Sequence, residues 1–148
     1  PSGRGRINCD ARGRVLICQW RSGRSGVWRF DPKDKSWTRL LDENLAFECV
    51  ADPSDPTRLL MITNMDPYND LAGGNGVWVS HDDGKSWSQQ DKGLAMRRGG
   101  AVAFNPHNPE EIVVGTFGRG FFRTNWPKTL KPAGTRRYAS LPEDAAHA

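Results

Sequence analysis

The stretch VWRFDPKDKSW, Val27 to Trp37, lies without a gap over VWVSHDDGKSW, Val77 to Trp87, sharing Val-Trp at its start and Lys-Ser-Trp at its end. A third copy opens as GFFRTNWP at Gly120 and then decays. The segments ahead of these also superimpose: CVADPSDPTRLLMIT, Cys49 to Thr63, lies over VAFNPHNPEEIVVGT, Val102 to Thr116, with a shorter relative in INCDARGRVLICQ, Ile7 to Gln19. Three units of roughly 40 to 50 residues therefore fill the chain, and internal self-similarity of that period is the mark of a repeat architecture.

Each unit reads as four short strands. The first is INCD, CVAD or AVAFN, ended in the latter two by Asp-Pro or Asn-Pro, where proline fixes φ and closes the strand. The second is an apolar run rich in branched residues, RVLICQ, RLLMIT or EIVVGT, suited to a pleated surface. The third follows a glycine, and the fourth starts at the tryptophan of SWTRLL or SWSQQ. No segment keeps helical spacing of apolar residues for three turns. The class expected is all-β, a β-propeller with about three four-stranded blades of a larger ring of about seven. The blades fall at about 5–45, 46–95 and 96–127, together 1–127, with 128–148 as a C-terminal strap and tail.

Composition agrees with many turns and short strands: 16 Gly and 10 Pro among 148 residues, with most of the six Trp placed at matching points as anchors. The net charge is +4, but acids and bases are interspersed, so nucleic acid is not an expected partner. The longest apolar run is far short of a membrane span. Cys9, Cys18 and Cys49 lack zinc-ligand spacing; Cys9 and Cys18 pair across a hairpin, or the thiols are free and buried. His81, His107 and His147 have no metal-ligand spacing, and neither metal nor cofactor is expected.

Ser80, Asp82, Gly84, Ser86 and Trp87 fit the pattern Ser-x-Asp-x-Gly-x-Ser/Thr-Trp and so resemble the Asp-box, or BNR repeat, of sialidase-type β-propellers. Locally, Asp82 is placed to accept backbone N–H bonds, Gly84 to take a conformation costly for other residues, and Trp87 to pack the turn against the next strand. Adjacent residues at a strand end diverge, so Ser80, His81 and Asp82 form no catalytic relay. The first unit keeps Trp37 but has Pro32 and Asp34 where the box has Asp82 and Gly84. The run AFNPHNPEEIVVGTFGRGFFRT is similar to blades of xyloglucanase-like glycoside hydrolases and of sortilin-type propellers. That resemblance covers about Gly5 to Trp126, and it implies a structural turn on the face away from any ligand.

Candidates therefore come from the opposite face. Its longest loop, NMDPYNDLAGGN from Asn64 to Asn75, has about twelve residues where the third unit uses three, and extra length beyond a tight hairpin suggests function. Asp66 and Asp70 are the candidate catalytic acids, with Tyr68 and Asn69 as sugar-binding groups. An inverting hydrolase needs two carboxyl groups about 6.5 to 9.5 Å apart. The resemblance implies a pair drawn from separate domains, hence at most one catalytic acid here. A solvated loop or a calcium-binding turn is the plainer alternative. Arg4, Arg21, Arg24, Arg97, Arg98 and Arg119 share that face, and planar guanidinium groups suit bidentate contact with carboxylated sugars. The expected partners are a polysaccharide or oligosaccharide, suitably an anionic one, and the remaining blades, supplied by a missing segment or a partner chain, because three blades cannot close a ring. The function expected is the C-terminal part of a secreted or periplasmic glycoside hydrolase propeller. The alternative is a non-catalytic propeller binding protein or glycan, as in sortilin-like receptors or assembly factors.

Overall fold

The computed structural model describes residues 5–20, 23–64, 75–90, 92–94 and 96–128. These form three antiparallel meanders. The first holds β1 (Ile7–Cys9), β2 (Val15–Gln19), β3 (Gly26–Asp31) and β4 (Ser36–Leu41). The second holds β5 (Ala46–Ala51), β6 (Leu59–Thr63), β7 (Val77–Ser80) and β8 (Ser88–Gln89). The third, among the described residues, holds β9 (Gly99–Asn105), β10 (Asn108–Thr116) and β11 (Gly120–Asn125). The repeat read from the sequence is thus a repeat of sheets.

The sheets stack face to face through two cores. Leu16, Cys18 and Val27 of the first sheet meet Ala46, Cys49, Leu59 and Met61 of the second. From the opposite face of the second, Leu60, Ile62, Val77 and Val79 meet Val102, Phe104, Ile112, Val114 and Trp126. Alternation along a strand sends successive side chains to opposite faces. The middle sheet is covered on both sides, so LLMIT in β6 is buried at all five positions, while β2 and β10 alternate in exposure. Continuous apolar runs are what doubly covered strands require. The third sheet approaches so closely that a Cβ on Gly99 would overlap the Ile62 side chain.

The first strands of the sheets lie side by side. Asn8 Nδ2 donates to Cys49 O at 3.0 Å, and the largely buried Glu48 accepts from Val102 N at 3.0 Å while Arg6 approaches its other oxygen at 3.5 Å. One carboxylate thereby ties β1, β5 and β9 together.

All three cysteines are free. Cys9 pairs with Val15 in register, three residues before Cys18, so the two thiols face opposite sides of their hairpin and no bridge forms. Cys9 is exposed, against the expectation of a buried thiol; Cys18 and Cys49 are buried, and burial pushes both thiols well up, leaving them unreactive.

Candidate functional site

The meanders give the stack two rims. One collects the turns inside each hairpin of the type β1–β2, β3–β4, β5–β6, β7–β8 and β9–β10. The other collects the β2–β3, β6–β7 and β10–β11 loops and the crossings between sheets. These are the turn rim and the loop rim.

On the turn rim, the segment Ser80 to Trp87 is a self-contained knot of hydrogen bonds. Ser80 Oγ donates to Asp82 Oδ1 at 2.8 Å and accepts from Gly84 N at 2.9 Å. Ser86 donates to Asp82 through both its N–H, at 2.9 Å, and its hydroxyl, at 2.6 Å. Burial pushes the Asp82 carboxyl up, but these bonds from Ser86 and Ser80 outweigh it and hold the group below the usual range. Gly84 has φ +83°, and a Cβ there would also press on Leu40 at 2.9 Å. Trp87 departs from expectation: its Nε1 donates to Leu40 O in β4 of the preceding sheet at 3.0 Å and to Gly84 O at 3.1 Å, so it anchors the turn backwards across the sheet junction. The first-sheet turn has no counterpart glycine, and Lys35 carries the positive φ there.

Asp83, which the sequence leaves without a role, is the centre of the first junction. Arg14 grips it with two bonds, Nη1 to Oδ2 at 2.9 Å and Nη2 to Oδ1 at 2.7 Å, while its Nε donates to Asp10 at 2.7 Å. Arg29 lies 2.9 Å from Oδ1 and Arg12 3.9 Å from Oδ2. Burial pushes Asp83 up; the Arg14 bonds and the three positive charges win, keeping it ionised and low. The second junction repeats the device. Arg58 pairs with Asp52 at 3.2 Å and with Glu110 at 2.8 Å, and its guanidinium lies 4.5 Å from the Trp126 ring. Asp10 with Arg14 and Asp52 with Arg58 stand at the same repeat positions, the one signal in the sequence that marks this pair. Both described junctions carry such a clamp on the turn rim.

The loop rim is built differently. Thr63 N and Oγ1 both donate to Gly76 O, at 3.0 and 3.1 Å, closing a neck at the base of the long β6–β7 loop. Its two stems are braced separately. Asn64 N donates to Leu45 O at 2.9 Å, and Asn64 Oδ1 accepts from Arg98 Nε at 3.3 Å. On the other stem Asn75 Nδ2 donates to Glu43 Oε2 at 2.9 Å, with Glu43 Oε1 taking Leu45 N–H at 3.0 Å. Burial pushes the Glu43 carboxyl up despite these two bonds. Beside the neck the Arg98 guanidinium lies 4.7 Å from the half-exposed Phe117 ring, and Phe117 N donates to Arg98 O at 3.0 Å. A cation stacked on an exposed ring offers both an apolar plane and hydrogen-bond donors, the pair of features a sugar or carboxylate can use.

Asp66, Tyr68, Asn69, Asp70, Arg4 and Arg21 lie outside the described residues. Arg97, Arg98 and Arg119 share the third-sheet end of the loop rim, with Arg97 and Arg119 exposed. Arg24 does not join them: it lines a groove on the far face of the first sheet with Ile17, Gln19, Trp28 and Trp37. Glu43, Asn64, Asn75 and Phe117 are the loop-rim residues that the sequence did not single out. Among the described residues no three His, Cys, Asp or Glu side chains come together as a metal site, and no helix is long and apolar enough to cross a membrane.

The stacked meanders match solved structures. The GH74 enzyme of Niastella koreensis aligns with TM-score 0.62 at 18% identity, over 80% of this chain and 21% of that one. The chain carries part of a β-propeller. An ancestral GH74 enzyme aligns with TM-score 0.54 at 16% identity, over 78% of this chain and 14% of that one. The chain thus spans about a fifth or less of the length of these enzymes. No protein-family model and no curated protein matches the sequence.

Proposed function

We propose that the chain is part of a carbohydrate-active propeller, a glycoside hydrolase that acts on a polysaccharide outside the cytoplasm, secreted or periplasmic. The observation that carries this reading is the braced neck of the long β6–β7 loop on the loop rim, beside the Arg98–Phe117 pair and opposite the turn rim. A long loop rising from a rigid neck is how a scaffold presents binding groups. In this reading 5–45, 46–95 and 96–127 are blades, 128–148 is a closing strap and tail, and Ser80 to Trp87 is a structural Asp-box. Asp66 or Asp70 supplies at most one catalytic acid, while Tyr68, Asn69, Arg21, Arg97, Arg98 and Arg119 contact sugar and Arg24 is left to the groove of the first sheet. Likeness to GH74 enzymes supports the propeller scaffold, on which function is set by the loops.

A second reading, a propeller that binds glycan or protein without cleaving it, is favoured by one observation. The buried acid on this rim, Glu43, has both oxygens engaged in bracing the neck. Release of reducing ends from a panel of neutral and uronic-acid-bearing polysaccharides separates the two. Loss of hydrolysis in Asp66→Asn or Asp70→Asn, with glycan binding retained, supports the hydrolase. Hydrolysis unchanged in both variants removes the loop from catalysis, and binding without hydrolysis by the unmodified protein selects the second reading. Arg98→Ala is expected to weaken binding of an acidic glycan about tenfold, the loss of one charge-assisted contact.

A further inference from the structure

Two aromatic rings on the loop rim each carry an arginine. The guanidinium of Arg6, just ahead of β1, lies 5.4 Å from the Phe47 ring of β5, and that of Arg98, just ahead of β9, lies 4.7 Å from the Phe117 ring. One backbone irregularity, repeated, places both rings. The first strand of the second and third sheets slips its register by one residue at the loop-rim end, between Ala46 and Glu48 in β5 and between Gly99 and Ala101 in β9. A bulge of this kind leaves one residue out of the ladder and re-aims its side chain, and bulges are frequent beside binding sites. In β5 the bulged residue is Phe47 itself. In β9 it is Gly100, and Phe117 fills the space that a side chain would take there: a Cβ on Gly100 would meet the ring at 3.0 Å. The same place thus receives a ring in both sheets, once from the first strand and once from the loop after β10.

Glu48 joins the two places. Its Oε1 is 3.5 Å from Arg6 Nη1, and its Oε2 accepts the Val102 N–H of β9 at 3.0 Å. This carboxylate offsets part of the Arg6 charge, but it is largely buried while the Arg6 side chain keeps 49% exposure. Arg98 is engaged through Nε, by Asn64 Oδ1 at 3.3 Å. Among the described residues neither guanidinium is gripped by two bonds from one carboxylate, in contrast to Arg14, whose Nη1 and Nη2 both bind Asp83 on the turn rim. Arg97 and Arg119 are exposed at the same end of the loop rim. An aromatic face packs against the apolar face of a sugar ring, and a guanidinium beside it takes a carboxylate through paired N–H donors. Packed sheets lie about 10 Å apart, so the two pairs meet different residues of one chain rather than the same sugar.

We infer that Arg6 with Phe47 and Arg98 with Phe117 are two subsites for one polysaccharide chain bearing uronic acids, which lies across the loop-rim ends of β5 and β9. Each ring stacks on a sugar face, and each arginine takes a carboxylate. The inference rests on the carbohydrate reading of the loop rim, narrows its substrate to an acidic chain, and adds Arg6 and Phe47 to the residues that touch it. Because Glu48 and the packed first strands hold the pairs at a fixed separation, the second contact is intramolecular once the first is made. A chain long enough to reach both therefore binds more tightly than the sum of its parts in solution.

Calorimetric titration of the full chain with oligogalacturonates of increasing length, and with neutral cello-oligosaccharides of matched lengths, tests it. Affinity for the acidic series should rise about tenfold or more at the length that spans both pairs, and at low salt should exceed that for the neutral series by a similar factor. Phe47→Leu or Phe117→Leu, which keeps apolar volume but removes the flat ring, should return the long acidic oligomer to the affinity of the short one. Arg6→Gln should weaken the acidic series about tenfold and leave the neutral series unchanged. Circular dichroism verifies that each variant keeps its strands. Neutral chains bound as tightly as acidic ones would overturn the inference and leave the carbohydrate reading standing. Acidic affinity that is indifferent to length, or that survives Phe47→Leu, would overturn the paired subsites. Binding of neither series would overturn the inference outright, while release of reducing ends from the polysaccharide panel decides the carbohydrate reading separately.

Discussion

At the scale of single residues, Asp83 shows how a turn residue becomes a joint between sheets. It sits at φ +63°, and its carboxylate faces Arg14, Arg29 and Arg12 from the preceding sheet. Asp83→Asn replaces the carboxylate with one neutral amide oxygen and leaves Asp10 as the only charged partner of the Arg14 guanidinium. The expected cost is about 2 kcal/mol in urea unfolding, less than the ~3–5 kcal/mol of a fully buried pair because the Asp83 side chain retains 20% exposure. The folded carboxyl titrates below its unfolded value of about 3.9, so this contribution is complete above that pH and fades as pH falls through the lowered value. The variant's stability curve should therefore converge on the wild type only in strong acid. Ser80, Asp82, Gly84 and Ser86 were legible in the sequence because their bonds close within eight residues. Asp83 was not, because its partner lies 69 positions away and only stacking of the sheets brings it near.

At the scale of elements, the β6–β7 neck and the strand pairs separate what local pattern conveys from what it does not. The meanders followed from repeated strand and turn chemistry, and the registers Arg29 with Thr38 and Val79 with Ser88 place both turns alike. β8 is shorter than expected, Ser88–Gln89 alone, and begins just after Trp87, whose indole donates back to Leu40 O. Glu43 was unreadable for a different reason: a lone acid in a polar loop looks solvated until its burial is known. Its role predicts an asymmetry. Glu43→Ala strands Leu45 N–H and the Asn75 amide and should cost about 1–3 kcal/mol. Glu43→Gln, with the Asn75 amide turned over, keeps both bonds and should stay within about 0.5 kcal/mol of wild type at pH 7. Because burial raises the folded carboxyl, the wild-type group contributes most below its unfolded value of about 4.3 and loses that contribution as pH rises through the raised value. Urea midpoints measured in mild acid and at neutral pH should show the glutamine variant gaining on wild type as pH rises.

At the scale of the whole molecule, both described junctions run in chain order, each with a cation clamp on the turn rim and the loop rim opposite. That polarity is what the sequence repeat encodes without naming, since equal units joined by equal steps must stack in chain order. The middle sheet alone, among those described, is covered on both sides, and β6 contributes to both cores with all five residues buried. Its amide protons can therefore meet solvent only when both neighbouring sheets have let go. Hydrogen exchange should find Leu60, Met61 and Ile62 slowest, at rates set by global unfolding, while β1 and β11 exchange through smaller openings. Slow exchange confined to β11 would contradict this order. The strand covered on both faces is in this sense the clock of the fold: its exchange rate reads the lifetime of the stack as a whole.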